Sequence, residues 1–141
     1  MNVNNSLSKR VSHISKCTQQ HMDSRLKPLE LSSGSYPFLM LLSEEEGINL
    51  EKLSRLAHVD KAMTTRTVQK LIGLGFIERI QDNKDQRACK LYLTAKAKAV
   101  IPIIKEALNS WITQITFDIP ADKLEELYSM LDIILEKAEE K

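Results

Sequence analysis

Apolar residues recur along the chain at two spacings, and the switch between them marks where helices give way to strands. From Leu7 to Leu26 they fall at mostly helical intervals (Leu7, Val11, Ile14, Met22, Leu26), and Pro28 then closes the segment, which predicts a first helix. Ser32-Ser33-Gly34-Ser35 reads as a turn. Tyr36-Pro37 leads into "FLMLLSEEEG", with Pro37 near the start and Gly47 past the end of a short second helix. Asn49 is placed to cap "LEKLSRLA", whose Leu50, Leu53, Leu56 and Ala57 share a face. After His58-Val59, Asp60 is placed to cap "KAMTTRTVQKLIGLG". Two helices joined by so short a turn form a helix-turn-helix signature.

Gly73 and Gly75 stop the fourth helix, and the period then changes to two. "FIERI" and "CKLYL" read as strands of a hairpin, with Cys89, Leu91 and Leu93 on one face and a polar tip from Asp82 to Arg87. Thr94 can cap a long helix whose apolar positions are Val100, Ile103, Ile104, Ala107, Leu108, Trp111, Ile112 and Ile115, kinked at Pro102. A last helix runs from about Asp122, with Leu124, Leu127, Tyr128, Leu131, Ile134 and Leu135 as its stripe. The fold class is therefore mainly α with a small β-hairpin: a winged helix-turn-helix with N- and C-terminal dimerisation helices. The long helix around Trp111 and the last helix carry more apolar stripe than a domain this small can cover alone. The expected organisation is 1–30 as an N-terminal dimerisation helix, 31–98 as the winged helix-turn-helix, and 99–141 as the C-terminal dimerisation helices.

Composition narrows the class. A chain of 141 residues with 43% hydrophobic and 28% charged residues suits one globular domain. Its apolar runs, "FLMLL" and "VIPII", are too short to span a bilayer, so a cytoplasmic protein without a membrane partner is expected. Cys17 and Cys89 form no CxxC pair and read as reduced thiols. The net charge of +1 hides an asymmetry: residues 51–98 hold 11 Lys/Arg against 5 Asp/Glu, and 118–141 hold 3 against 8. The basic middle suits phosphate.

The segments "DKAMTTRTVQKLIGLGFIER" (Asp60 to Arg79) and "DQRACKLYLT" (Asp85 to Thr94), in this order, resemble the recognition helix and the Asp-x-Arg wing of the MarR family of transcription regulators. Two positions depart from the family pattern. Ala97 stands where members usually carry glycine, and no proline precedes the acidic residue of the wing. The resemblance implies a homodimer that represses by occupying a pseudo-palindromic operator in double-stranded DNA. It also implies relief by a small aromatic or lipophilic effector.

Helical periodicity divides the fourth helix into a packed side (Thr64, Val68, Leu71, Ile72) and a solvent side of Lys61, Ala62, Thr65, Arg66 and Gln69. Arg can fork onto guanine, Gln can pair with adenine, and Thr can meet a base edge or a thymine methyl. By itself such a face is equally an ordinary solvated one; the turn and wing weigh towards DNA. At the tip, Arg87 suits a narrow minor groove with Asp85 orienting its guanidinium, and Lys84 and Lys90 suit phosphates. The bland alternative is an exposed ion pair worth about 0–1 kcal/mol.

His13, Cys17 and His21 fall at i, i+4 and i+8 of the first helix, where imidazole and thiolate could serve as metal or redox groups. They would need a fourth ligand from elsewhere, and Cys17 otherwise reads as a small, partly buried residue. A peroxide-sensing branch of the family also uses a first-helix cysteine, but its position corresponds more nearly to Ser12. No catalytic constellation, Gly-rich phosphate loop or cofactor motif emerges, so an enzyme is not expected. The alternatives are a winged helix used purely for protein contact, and a metal- or redox-sensing regulator acting through Cys17.

Overall fold

A computed structural model of the chain describes residues 6–82 and 85–140, the side chains of 82–88 excepted. Helix α1 (Leu7–Leu26) begins where the Ser6 side chain accepts the Lys9 N–H at 3.3 Å. Its apolar residues divide: Met22 and Leu26 are buried, whereas Leu7, Val11 and Ile14 are exposed. A 3-10 turn over Lys27–Leu29 contains Pro28, after which Glu30 takes a left-handed φ of 62°. Asp23 holds the following turn by accepting the Ser33 N–H at 2.6 Å. Burial, and secondarily the Asp23 carboxylate, push the Tyr36 phenol above its ordinary pKa.

Helix α2 (Tyr36–Glu44) carries Pro37 in its first turn and buries Phe38, Leu39 and Leu42. Gly47 then adopts a φ of 82°, and a Cβ there would lie 3.1 Å from the Tyr92 hydroxyl. Only glycine meets both demands without strain. At this point the chain joins the hairpin of β1 (Ile77–Asp82) and β2 (Asp85–Leu93). The Gly47 N–H donates to the Leu91 carbonyl at 2.8 Å and the Leu91 N–H to the Ile48 carbonyl at 2.9 Å, forming an antiparallel bridge from Ile48 to Leu91. The wing thus gains a short third edge. A single paired residue has no alternation to read, so the hydrophobic pattern does not announce it.

Helices α3 (Leu50–Ala57) and α4 (Lys61–Gly73) follow with the expected caps, Asn49 and Asp60. Leu53 is buried, but Leu56 is 41% exposed, contrary to the expected four-residue face. At about 100° per residue, Leu50 and Ala57 lie to one side of Leu53 and Leu56 to the other, beyond the packed arc. Helix α5 (Ala95–Ile115) shows the same kind of correction: Ile103 and Ile115 are exposed, while Ile101, outside the expected stripe, is buried. The packed arc of α5 is centred on Ala97, Ile101 and Ile104. Pro102 is exposed within the helix, which continues across it despite the missing N–H.

One core joins Met22, Leu26, Phe38, Leu53, Val68, Phe76, Leu91 and Ile104. Two compact units divide the chain, Met1–Leu108 and Asn109–Lys141. In the second, the Thr116 hydroxyl donates to the Ile112 carbonyl at 2.6 Å at the end of α5, and helix α6 (Ala121–Glu139) follows Pro120. No residue of α6 is buried, and Leu127, Tyr128, Met130, Ile133, Ile134 and Leu135 are all exposed. No described helix is long and apolar enough to cross a membrane.

Candidate nucleic-acid interface

The helix-turn-helix is set by short-range hydrogen bonds. His58 takes a left-handed φ of 56°, the Ser54 hydroxyl donates to the Val59 carbonyl at 2.6 Å, and the Val59 N–H returns to the Ser54 carbonyl at 3.2 Å. Asp60 then starts α4: its carboxylate accepts the Met63 N–H at 2.8 Å. The Thr64 hydroxyl donates to the Asp60 carbonyl at 2.9 Å, so this buried polar group is satisfied. The far end of α4 is held as firmly. The Lys96 ammonium donates to the Leu74 carbonyl at 2.6 Å and sits 4.5 Å from the Phe76 ring centroid, placing a cation where the helix dipole is negative.

Held at both ends, α4 turns its two sides as the periodicity predicts. Thr64, Val68 and Leu71 are buried and Ile72 is half-buried. Lys61, Ala62, Arg66 and Gln69 are exposed, and Thr65 is half-buried with its hydroxyl donating to the Lys61 carbonyl at 2.8 Å. That bond uses the Thr65 proton and leaves its methyl and lone pairs for contact. The Arg66 guanidinium touches only the weak acceptor Met63 Sδ, at 3.9 Å, among the described side-chain partners.

The wing is sided too. Residues opposite each other in an antiparallel pair share a face, and β1 pairs with β2 as Ile77 with Leu93, Arg79 with Leu91, Ile80 with Lys90, and Gln81 with Cys89. Leu91 and Leu93 are buried, so Ile77, Arg79, Gln81 and Cys89 belong to the inner face. Lys90 and Ile80 lie on the outer one, both exposed. Lys84, and the side chains of Asp85 and Arg87, lie outside the described residues, and with them the expected pairing at the tip. Glu46 braces the wing's base: its carboxylate accepts the Leu93 N–H at 2.8 Å and lies 3.8 Å from the Lys98 ammonium.

The structure adds a residue that sequence reasoning missed. Arg79 pairs opposite the buried Leu91, on the side of β1 where alternation calls for an apolar side chain, yet is itself exposed. With Lys61 it lines an open notch completed by Asn49, Leu50, Glu51 and Cys89. The register of the "FIERI" strand against "CKLYL" carried that signal, because Arg79 falls directly opposite Leu91.

Along α1, His13 is exposed and Cys17 and His21 are half-buried. Among the described residues no group of three His, Cys, Asp or Glu is placed to hold a metal ion. The i, i+4, i+8 spacing therefore does not close into a metal site within the described chain. Each step of four residues advances about 40° round the helix, so the three groups diverge.

Comparison with known proteins agrees with this geometry. A sequence model of the MarR family matches residues 31–89. HTH-type transcriptional regulator BilQ of Clostridioides difficile (strain CD3) is 32% identical over 129 residues, covering 92% of this chain and 87% of that protein. A MarR transcriptional regulator from Methanosarcina mazei Go1 is 32% identical, with a TM-score of 0.88 over 94% of this chain and 95% of that one. A MarR protein from Peptoclostridium difficile DA00132 is 29% identical, with a TM-score of 0.91 over 98% and 91% of the two chains. With a likeness that runs through the capped turn, α4 and the wing and extends over nearly the whole of both chains, this protein belongs to the MarR family of winged-helix transcription regulators.

Proposed function

We propose that the protein is a homodimeric repressor that binds a pseudo-palindromic operator in double-stranded DNA. Ala62, Thr65, Arg66 and Gln69 of α4 enter the major groove, Arg66 and Gln69 reading base edges, and Lys61, at the first position of α4, meets the DNA at the groove's edge. Arg87, oriented by Asp85, enters the adjacent minor groove, and Lys84 and Lys90 meet phosphates. The observation that carries this reading is the sidedness of α4. A helix pinned at both ends buries Thr64, Val68 and Leu71 and presents Lys61, Arg66 and Gln69 to solvent.

Dimerisation is supported by the apolar residues that the single chain leaves exposed, Leu7, Val11 and Ile14 on α1 and Leu127, Tyr128 and Ile134 on α6. A two-fold dimer sets its recognition helices about 34–36 Å apart, one turn of DNA. Regulation by a small aromatic or lipophilic effector is what the family resemblance implies.

Genomic binding-site mapping supplies the operator, and fluorescence anisotropy then tests the roles. Arg66→Ala should lose preference for operator over random duplex. Lys84→Ala should weaken both alike and reduce the salt slope by about one unit per lost contact. Arg87→Ala should weaken operator binding while leaving thermal unfolding unchanged. Equal changes on both duplexes for Arg66→Ala and Lys84→Ala would reject the division of roles. A monomer by sedimentation at micromolar concentration, or a footprint without two-fold symmetry, would reject the dimer.

A further inference from the structure

We infer that the notch between the first turns of α3 and α4 and the inner face of the wing seats one backbone phosphate of the duplex, gripped by Lys61 and Arg79. This rests on the reading of α4 and the wing as the DNA-binding elements and adds a contact to it. When a helix occupies a major groove and a wing the adjacent minor groove, the sugar–phosphate ridge dividing those grooves must run between helix and wing. The notch occupies that place: it is lined by Lys61 at the start of α4 and by Arg79 on the wing's inner face.

Its chemistry suits a phosphodiester. Two cations arrive from two different elements, and among the described residues neither is engaged in an ion pair. Asn49 uses its side-chain oxygen to cap α3 at 2.8 Å from the Lys52 nitrogen, which leaves its amide NH2 as a donor. The N-terminal ends of α3 and α4 add partial positive charge. One carboxylate, Glu51, also lines the notch and opposes an anion there. Because a phosphate carries no base information, the contact fixes register and affinity and leaves sequence preference to α4.

The test is a salt titration of binding to operator and to an unrelated duplex. Arg79→Ala should weaken both by the same factor and flatten the dependence of log K on log salt by about 0.9 per lost contact, so by nearly two units in a two-fold complex. Arg79→Lys should keep most of the slope. Glu51→Gln should tighten binding to both duplexes, the opposite sign. If Arg79→Ala fails to fold, Arg79→Gln supplies the same readings with length and polarity retained.

An Arg79→Ala variant that folds and keeps the parent's slope overturns the seat, as does a loss confined to the operator, which would make Arg79 a base reader. The two readings fail separately. If the parent shows no preference for operator and Arg66→Ala behaves like it, the assignment of α4 falls and the seat with it. If Arg66→Ala loses the preference while Arg79→Ala matches the parent, the seat alone falls.

Discussion

Thr94 joins the end of the wing to the start of α5 and to the chain leaving α4, so replacing it tests how that junction is held. Its hydroxyl donates to the Gly75 carbonyl at 2.6 Å and accepts the Ala97 N–H at 3.1 Å, while its own N–H donates to the Phe76 carbonyl at 3.1 Å. Thr94→Ala removes the first two bonds and leaves the third. Loss of a helix cap costs about 1 kcal/mol, and loss of one further hydrogen bond about 1 kcal/mol. The sum, about 2 kcal/mol, is an upper value because water can reach this half-buried residue. With a urea m-value of about 2 kcal/mol/M, the unfolding midpoint should fall by up to about 1 M. Thr94→Ser keeps both bonds and should stay within about 0.5 kcal/mol of the parent. The measurement is urea unfolding followed by circular dichroism at one fixed protein concentration, because self-association contributes to apparent stability. Coincident midpoints for the Ala and Ser variants would show that the hydroxyl does not hold the junction.

Two glycines should respond oppositely to alanine in the same assay. Gly47→Ala, with a φ of 82° and the Tyr92 hydroxyl 3.1 Å from the added Cβ, should destabilise by about 1–3 kcal/mol. Gly73→Ala, in the last turn of α4 with nothing within 4 Å, should stabilise by up to about 1 kcal/mol. Burial and Asp23 raise the Tyr36 pKa above 10.0, so the unfolded chain ionises first. The stabilisation from Tyr36 is therefore complete below pH 10 and lost as the pH rises through the folded-state value. Tyr36→Phe should flatten the alkaline limb of a stability–pH profile, and an unchanged limb would contradict the assignment. Cys17→Ser should bind operator as the parent does, with or without zinc or peroxide. A response seen in the parent and absent from Cys17→Ser, read by anisotropy, would instead establish a sensor.

Local chemistry determined the boundaries of this fold from sequence alone. Ser, Asn, Asp and Thr oxygens near a helix start, and proline or glycine near its end, act over three or four residues. The bounds of α1, the caps at Asn49, Asp60 and Thr94, and the two sides of α4 were therefore legible without a fold. Periodicity also located the wing's buried face at Leu91 and Leu93, since alternation is a property of the strand itself. What the tertiary structure decided was how wide each packed arc is and what meets across the chain. The arcs exclude Leu56 and Ile103 and include Ile101, because a helix buries only what its neighbours cover. Ile48 becomes strand-like only because Leu91 is there to pair with it. His13, Cys17 and His21 share a helix without forming a metal site in the described residues, because spacing along one helix brings no ligand from another element. Asn49, Lys61 and Arg79 belong to separate elements and line one notch, because packing α3, α4 and β1 on a common core removes the sequence distance between them.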